Sequence, residues 1–222
     1  MINILLVGTI HEEKGSINVN ELVKIMESAC PEVIFLEVPK KQNDKQHLNG
    51  INITLESKAV KKYCEIRNVE LVNVDLPTPE LTFFRNNKNV YSYIESLSRE
   101  YCRIIDWHSQ YLLRYGFSYL NSIHCDNVFD ELDNEIKLTV ERMKENKYTK
   151  QLELWNQTIE LRDLEMLKNI EEYCENHDYR KGLFLVGAAH RRSIMKKVDE
   201  MKKDKVINIE WSFIGIEKKS SS

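Results

Sequence analysis

The sequence lacks an excess of charge of either sign, because 32 basic residues face 35 acidic ones and the formal net charge is −3. Proteins that bind nucleic acid or anionic membranes through electrostatics usually carry a basic surplus. No apolar run approaches the roughly 20 residues that a membrane-spanning helix needs. The first residues, MINILLVG, have no basic segment before the apolar stretch, so we expect no signal peptide. We therefore predict a cytoplasmic protein that binds neither nucleic acid nor membranes.

Cysteine is also sparse, with five residues that are odd in number, widely spaced and never arranged as C-x-x-C. This pattern disfavours both a disulfide framework and a structural zinc site. We expect reduced thiols at all five positions, which are Cys30, Cys64, Cys102, Cys125 and Cys174.

Three common catalytic or cofactor motifs are absent from the sequence. It contains neither a G-x-G-x-x-G motif nor a P-loop, so it offers no predicted cradle for a dinucleotide or a nucleoside triphosphate. It also lacks the G-x-S-x-G motif that positions the nucleophile of many serine hydrolases. Any catalytic chemistry must therefore come from other residue types.

Short apolar runs alternate with helical patterns over most of the 222 residues. The runs predict five strands, at 2–8, 33–38, 70–76, 183–188 and 206–214. Helical spacing of apolar residues lies between them, at 20–30, 54–67 and 191–203. This alternation predicts an α/β fold with a small, mostly parallel sheet flanked by helices, in a single domain over 1–222.

The middle of the chain, about 85–181, breaks the alternation because it contains no convincing strand. Apolar residues there recur at steps of three and four, which predicts helices over 88–115, 127–145 and 152–173. We interpret this region as a large helical insertion between the third and fourth strands that caps the sheet.

Two Gly-x-x-His segments follow apolar runs: GTIH at Gly8–His11 and GAAH at Gly187–His190. Ligands of open α/β sheets bind outside the carboxyl ends of the strands. Glycine at these ends lets the backbone turn sharply or lets a ligand approach closely. If the first and fourth strands are neighbours, both histidines emerge at one sheet edge; otherwise they are ordinary loop histidines.

Acidic residues end the second and third predicted strands. Glu37 interrupts the run VIFLEVP, and a carboxylate in a buried run must be paired, hydrogen-bonded, metal-bound or neutral. We expect its strand end to lie beside that of the first strand, although a helix-capping role is the alternative. Asp75 has the equivalent place on the third strand, where shaping a turn is the stronger alternative. Glu12, directly after His11, could support the site or face solvent.

Arg162 is the single charged residue on the otherwise apolar helical stripe of 152–173. A guanidinium on a core-facing stripe needs a nearby anion. Asp163 is a poor candidate because consecutive side chains on a helix do not face each other. Glu160, a carboxylate at the sheet edge and the substrate are the remaining possibilities.

These segments, in order LLVGTIH, FLEVP, ELRDLEML and LFLVGAAHR, resemble the TraB/PrgY/GumN family, whose superfamily includes the Tiki proteases and the erythromycin esterases. The resemblance implies an α/β core built around paired Gly-x-x-His motifs. It matches His11, Glu37, Arg162 and His190 to the functional residues of that family. The chain departs from the pattern after the second histidine, where Arg191 and Arg192 stand in place of a frequent glycine, and in having no hydrophobic anchor.

The resemblance implies three alternatives for function. In the first, a hydrolase cleaves a peptide or ester bond with water activated by Mn, Co or Zn. His11, Glu37 and His190 would then be metal ligands or bases, and Arg162 would hold a substrate carboxylate or the oxyanion. In the second, an imidazole oriented by Glu37 activates water without a metal. In the third, the chain binds a peptide or small molecule as a signal-shutdown protein without catalysis.

Overall fold

The structure, a computed structural model, describes residues 1–40, 54–77, 79–201 and 209–215. These residues form five strands: β1 (Ile2–Thr9), β2 (Val33–Pro39), β3 (Glu70–Asp75), β4 (Lys181–Gly187) and β5 (Ile209–Phe213). They also form seven helices: α1 (Val19–Ala29), α2 (Leu55–Ile66), α3 (Leu81–Leu97), α4 (Arg99–Leu120), α5 (Ile123–Met143), α6 (Asn146–Asn176) and α7 (Ala188–Met201). The α/β prediction is confirmed. Residues 202 and 203 of the last predicted helix and residues 206–208 of the last predicted strand lie outside the described residues.

The five strands form one parallel sheet in the order β3-β2-β4-β1-β5. β1 and β4 are neighbours, which is the condition under which both histidines were expected at one sheet edge, and their register pairs Thr9 with Gly187. The prediction that β2 ends beside β1 is wrong, because β4 lies between them. After the helical insertion, the chain forms β4 between β1 and β2.

Both faces of the sheet are covered, which explains the continuous apolar runs of the inner strands. Leu22 of α1 and Val60 of α2 pack in the core on one face, whereas Ile170 of α6 and Ile194 of α7 pack on the other. The chain therefore leaves β1 toward one face and leaves β4 toward the opposite face. This divergence of neighbouring strands opens a crevice at their carboxyl ends.

The helical insertion between β3 and β4 is confirmed and comprises α3 to α6. The single helix predicted over 88–115 is wrong, because two helices, α3 and α4, meet at Ser98. The Ser98 hydroxyl accepts a hydrogen bond from the backbone N–H of Tyr101 and so begins α4. Gly116 bends the last turns of α4, with a φ of 56°.

The five cysteines are free thiols, as predicted, and Cys125 and Cys174 are buried. Among the described residues, no helix combines the length and the apolar character that crossing a bilayer requires.

Asn121, which follows α4, ties the insertion to the end of β1. Its side chain is fully buried. The Oδ1 atom accepts a hydrogen bond from the backbone N–H of Gly8 at 2.7 Å, and Nδ2 donates to the Gly8 carbonyl at 3.0 Å. The register of β1 with β5 runs as far as Leu6 and Phe213. The Asn121 side-chain amide therefore forms hydrogen bonds with the β1 backbone at Gly8, two residues beyond the end of this pairing. A neighbouring strand would otherwise supply such hydrogen bonds.

We expect Asn121→Ala to lower the free energy of unfolding by about 3 kcal/mol, because it leaves buried backbone groups of Gly8 without partners. Urea denaturation measures the change. Asn176→Ala is the matched control, since the exposed Asn176 amide donates to the Glu172 carbonyl in a single helix turn. Equal losses for the two variants would contradict the role of Asn121.

Candidate active site

Three of the four predicted site residues are in contact at the carboxyl edge of the sheet. Glu37 stands near the end of β2, His190 lies in the first turn of α7, and Arg162 reaches over from α6. Glu37 Oε1 lies 2.5 Å from Arg162 Nη2 and 3.4 Å from His190 Nε2. Glu37 Oε2 accepts a hydrogen bond of 2.6 Å from the backbone N–H of Gly187. One carboxylate thus joins a strand, two helices and the second Gly-x-x-His motif.

Two carboxylates at the sheet edge are the anions that Arg162 needs. Asp75 accepts hydrogen bonds from Arg162 Nε at 3.2 Å and from Nη2 at 2.6 Å, and Nη2 also donates to Glu37. Asp75 also accepts a hydrogen bond from the backbone N–H of Leu76, so it shapes the turn as well. Asp163 does not pair with Arg162, in agreement with the sequence argument.

Asp163 is instead the partner of His190, which the sequence analysis missed. Its Oδ1 atom lies 2.5 Å from His190 Nδ1, and its side chain is fully buried. Its Oδ2 atom lies 3.8 Å from the Lys197 ammonium. The available signal was the position of Asp163 on the α6 face that includes Met166, Leu167 and Ile170, all of them buried.

The contacts set the charges of the cluster. Burial alone would lower the pKa of His190, but the hydrogen bonds to Asp163 and Glu37 outweigh it and raise that pKa to about 9. Burial alone would raise the pKa of Glu37, but His190, Arg162 and the Gly187 N–H lower it to about 2. At neutral pH His190 is therefore an imidazolium and Glu37 an ionised carboxylate.

His11, the fourth predicted residue, does not join this cluster. Its side chain is 68% exposed, and Nδ1 lies 3.2 Å from Oε1 of Glu56, in the first turn of α2. The Thr9 hydroxyl donates to the same Glu56 oxygen at 2.7 Å. The hydrogen bond to Glu56 raises the pKa of His11 against the opposing effect of burial. Sequence analysis missed Glu56 because nothing in the order of residues marks which helix begins beside His11.

A small cleft of about 50 Å³ connects His11 to the rest of the edge. Glu37 and His11 both line it, together with Thr9, Thr54, Glu56 and apolar side chains of β2 and β4. The remaining oxygen of Glu56, Oε2, is buried and has no hydrogen-bond partner in the described part of the chain. The two Gly-x-x-His motifs thus reach one sheet edge, as predicted, but His190 lines a different and larger cavity. Glu12, left open above, is exposed.

The three predicted metal ligands, in this arrangement, do not fit a metal ion. The lone pairs of Glu37 face a guanidinium, an imidazolium and a backbone N–H, whereas a metal ligand must keep a lone pair for the ion. His190 holds Asp163 through Nδ1, and Arg162 Nη1 lies 3.4 Å from its Nε2. Over the described ranges, no three His, Cys, Asp or Glu side chains are grouped so that they could bind a metal. The metal requirement stays a prediction.

No family model matches the chain, and no curated protein matches it. A solved structure of an erythromycin esterase mutant in its open conformation is similar at 13% identity and a TM-score of 0.36. The match covers 83% of this chain and 60% of that one, so this chain spans less than two thirds of that esterase. A match this distant assigns no activity, and membership of the TraB family stays a prediction.

The buried His190 makes folding stability depend on pH. Its pKa rises from 6.5 to about 9 in the folded protein, so its contribution is complete below pH 6.5 and disappears as the pH rises through about 9. That contribution is about 3 kcal/mol. The pKa of Glu37 falls from 4.5 to about 2, so its contribution is present above pH 4.5 and disappears as the pH falls through about 2.

We therefore expect the free energy of unfolding to decline between pH 6.5 and about 9, and His190→Gln to remove most of that decline. Urea denaturation across this range gives the measurement. His177→Gln, at an exposed histidine on the end of α6, should retain the wild-type dependence. A His190→Gln profile as steep as that of the wild type would show that His190 is not the group responsible.

Proposed function

We propose that the chain is a TraB/Tiki-like hydrolase that cleaves an ester or peptide bond with a water molecule activated by His11. The observation that carries this proposal is the pairing of the exposed His11 with the largely buried Glu56, at a cleft that Glu37 of the Arg162–His190 cluster also lines. Transfer of an acyl group to water requires a base, a residue that orients the base, and fixed positive charge near the carbonyl oxygen.

His11 is suited to be the general base because Glu56 engages Nδ1 and leaves Nε2 for a water molecule. In hydrolytic triads a carboxylate holds the imidazole in this way. The cleft has about 50 Å³, which is enough for one water molecule. Thr9, Thr54 and the unpartnered Oε2 atom of Glu56 supply the polar contacts that a bound water needs.

His190 is suited to a different role, because an imidazolium with a pKa of about 9 cannot accept the proton of water at neutral pH. Arg162 Nη1 lies 3.4 Å from His190 Nε2, and these two cations are held together by three buried or half-buried carboxylates. Fixed cations of this kind stabilise the negative charge that develops on a carbonyl oxygen.

The proposed step is a hydrolysis with balanced atoms. The water oxygen forms a bond to the carbonyl carbon while its proton moves to His11 Nε2. The oxyanion that results is stabilised by the positive charge of Arg162 and His190. The C–O or C–N bond then breaks, and the leaving group takes the proton from His11. No step requires another reactant.

This mechanism predicts a bell-shaped pH profile for hydrolysis of p-nitrophenyl acetate. Activity should rise with pH through the pKa of His11, which lies above 6.5, and fall as His190 loses its proton at about pH 9. His11→Gln should reduce kcat by about 100-fold or more. Glu56→Gln removes the hydrogen bond that raises the His11 pKa, so its ascending limb should move to lower pH.

Glu13→Gln is the control for Glu56→Gln, since exposed Glu13 pairs with Lys58 near the same loop. Its ascending limb should coincide with that of the wild type. Full activity in His11→Gln would disprove the role of His11 as base. A wild-type protein that binds ligands but hydrolyses neither esters nor peptides would support the non-enzymatic alternative, which the large cavity beside His190 favours.

The metal-dependent version of the same hydrolysis is tested by metal content. Because Arg162 already neutralises Glu37, we expect the active protein to contain less than stoichiometric metal, and EDTA to leave its kcat unchanged. Elemental analysis and assays before and after dialysis against EDTA measure both. Loss of activity that Mn, Co or Zn restores would establish the metal-dependent mechanism instead.

A further inference from the structure

A cavity of about 420 Å³ lies between α7 and the helical insertion. Its volume falls within the range of roughly 300–1,000 Å³ that is typical of small-molecule sites. His190 lines this cavity, whereas His11 lines the small cleft. The mechanism proposed above uses the His190 contacts but assigns no role to the cavity.

The wall that the insertion provides is mainly apolar and aromatic. Each of the four insertion helices contributes a side chain, namely Tyr91 from α3, Tyr101 from α4, Phe129, Leu132 and Ile136 from α5, and Trp155 and Ile159 from α6. The Trp155 ring is stacked against Phe83 at 5.4 Å between centroids, which fixes its orientation. Aromatic walls favour a ligand that carries a ring, because rings pair by stacked or edge-to-face contacts.

The opposite wall is polar and belongs to α7. His190, Ser193 and Lys197 follow one another at helical steps of three and four, so they share one face. Lys197 Nζ donates to Ser193 Oγ at 2.7 Å and lies 3.8 Å from Asp163, and its side chain is only 14% exposed. An ammonium has three donors, so Lys197 can donate to a ligand while it keeps both contacts.

The other charges around the cavity are already paired or lie open to solvent. Arg192 forms ion pairs with Asp130 and Asp133. These carboxylates neutralise its charge, so Arg192 is not a free cation for a ligand. Glu160 is exposed. The cavity therefore presents the largely buried Lys197 ammonium beside His190, together with a wall of rings.

We infer that this cavity binds the acyl part of the substrate, and that the substrate is an ester or amide of an arylalkanoic acid. The aryl ring would contact the aromatic wall, and the carbonyl group, or the carboxylate of the acid product, would accept a hydrogen bond from Lys197. This inference rests on the proposed hydrolysis for the identity of the bond that is cleaved. Binding of the acid product does not depend on turnover, so it can be tested separately.

Isothermal titration with phenylbutyrate, an arylalkanoate that such a reaction would release, tests the inference. The wild-type protein should bind it, and Lys197→Gln should weaken binding about tenfold or more through loss of a charge-assisted hydrogen bond. Lys196→Gln is the matched control, because the Lys196 side chain is 79% exposed. Its affinity should equal that of the wild type.

A second pair of variants tests the apolar wall without changing charge. Ile159→Trp places a larger side chain in the cavity and should weaken phenylbutyrate binding, whereas Leu161→Trp, on the 60% exposed Leu161 of the same helix, should not. Circular dichroism shows whether each variant is folded.

The outcomes separate this inference from the proposed function. A folded wild-type protein that does not bind phenylbutyrate, or equal effects of the two lysine variants, would overturn the assignment of the cavity, even if p-nitrophenyl acetate is hydrolysed. Binding that follows the predicted pattern in a protein that hydrolyses no ester would uphold the cavity and refute the hydrolysis.

Discussion

The ion pairs of Arg162 with Glu37 and Asp75 are the contact on which the site depends. A guanidinium in the middle of an otherwise apolar helical stripe is tolerated only where carboxylates meet it with good geometry, and here two neighbouring strands supply them. The pairs fix α6 against the edge of the sheet, and α6 in turn carries the Asp163 that charges His190. Removal of Arg162 would take the guanidinium away from Asp75 and leave Glu37 with only His190 and the Gly187 N–H, so the insertion and the electrostatics of the site form one unit.

This constraint explains why two similar motifs have different chemistry. Both Gly-x-x-His segments end neighbouring parallel strands, but the chain enters α7 directly after β4, which turns His190 into the buried cluster. After β1 the chain continues through a loop, so His11 stays exposed beside Glu56. Burial among carboxylates holds the His190 imidazole as a cation, whereas His11 lies exposed beside one carboxylate. The divergence of β1 and β4 toward opposite faces thus places the two histidines in different surroundings.

The sequence predicted the elements better than their arrangement. Apolar runs identified the strands because side chains buried on both faces of a sheet leave a continuous signal, and the motifs identified His11, Glu37, Arg162 and His190. Strand order was not readable, since β4 follows β3 in sequence but pairs with β1 and β2. Glu56 and Asp163 were missed for the same reason, because their partners lie 45 and 27 residues away. Contacts of this kind arise from packing and leave no periodic pattern.

The charged cluster at the sheet edge contributes residues to two separate spaces, the small cleft and the larger cavity. The cationic and anionic side chains of the cluster pair with one another, and Glu37 lines one of the two spaces whereas His190 lines the other. His11, Thr9 and Glu37 face a space suited to a single water, whereas His190 faces a space suited to an organic group. In the proposed hydrolysis, the carbonyl group of the substrate would have to reach the water in the cleft past the contact between Glu37 and His190. The fold thereby limits where a hydrolytic reaction could occur, even though neither cavity alone defines it.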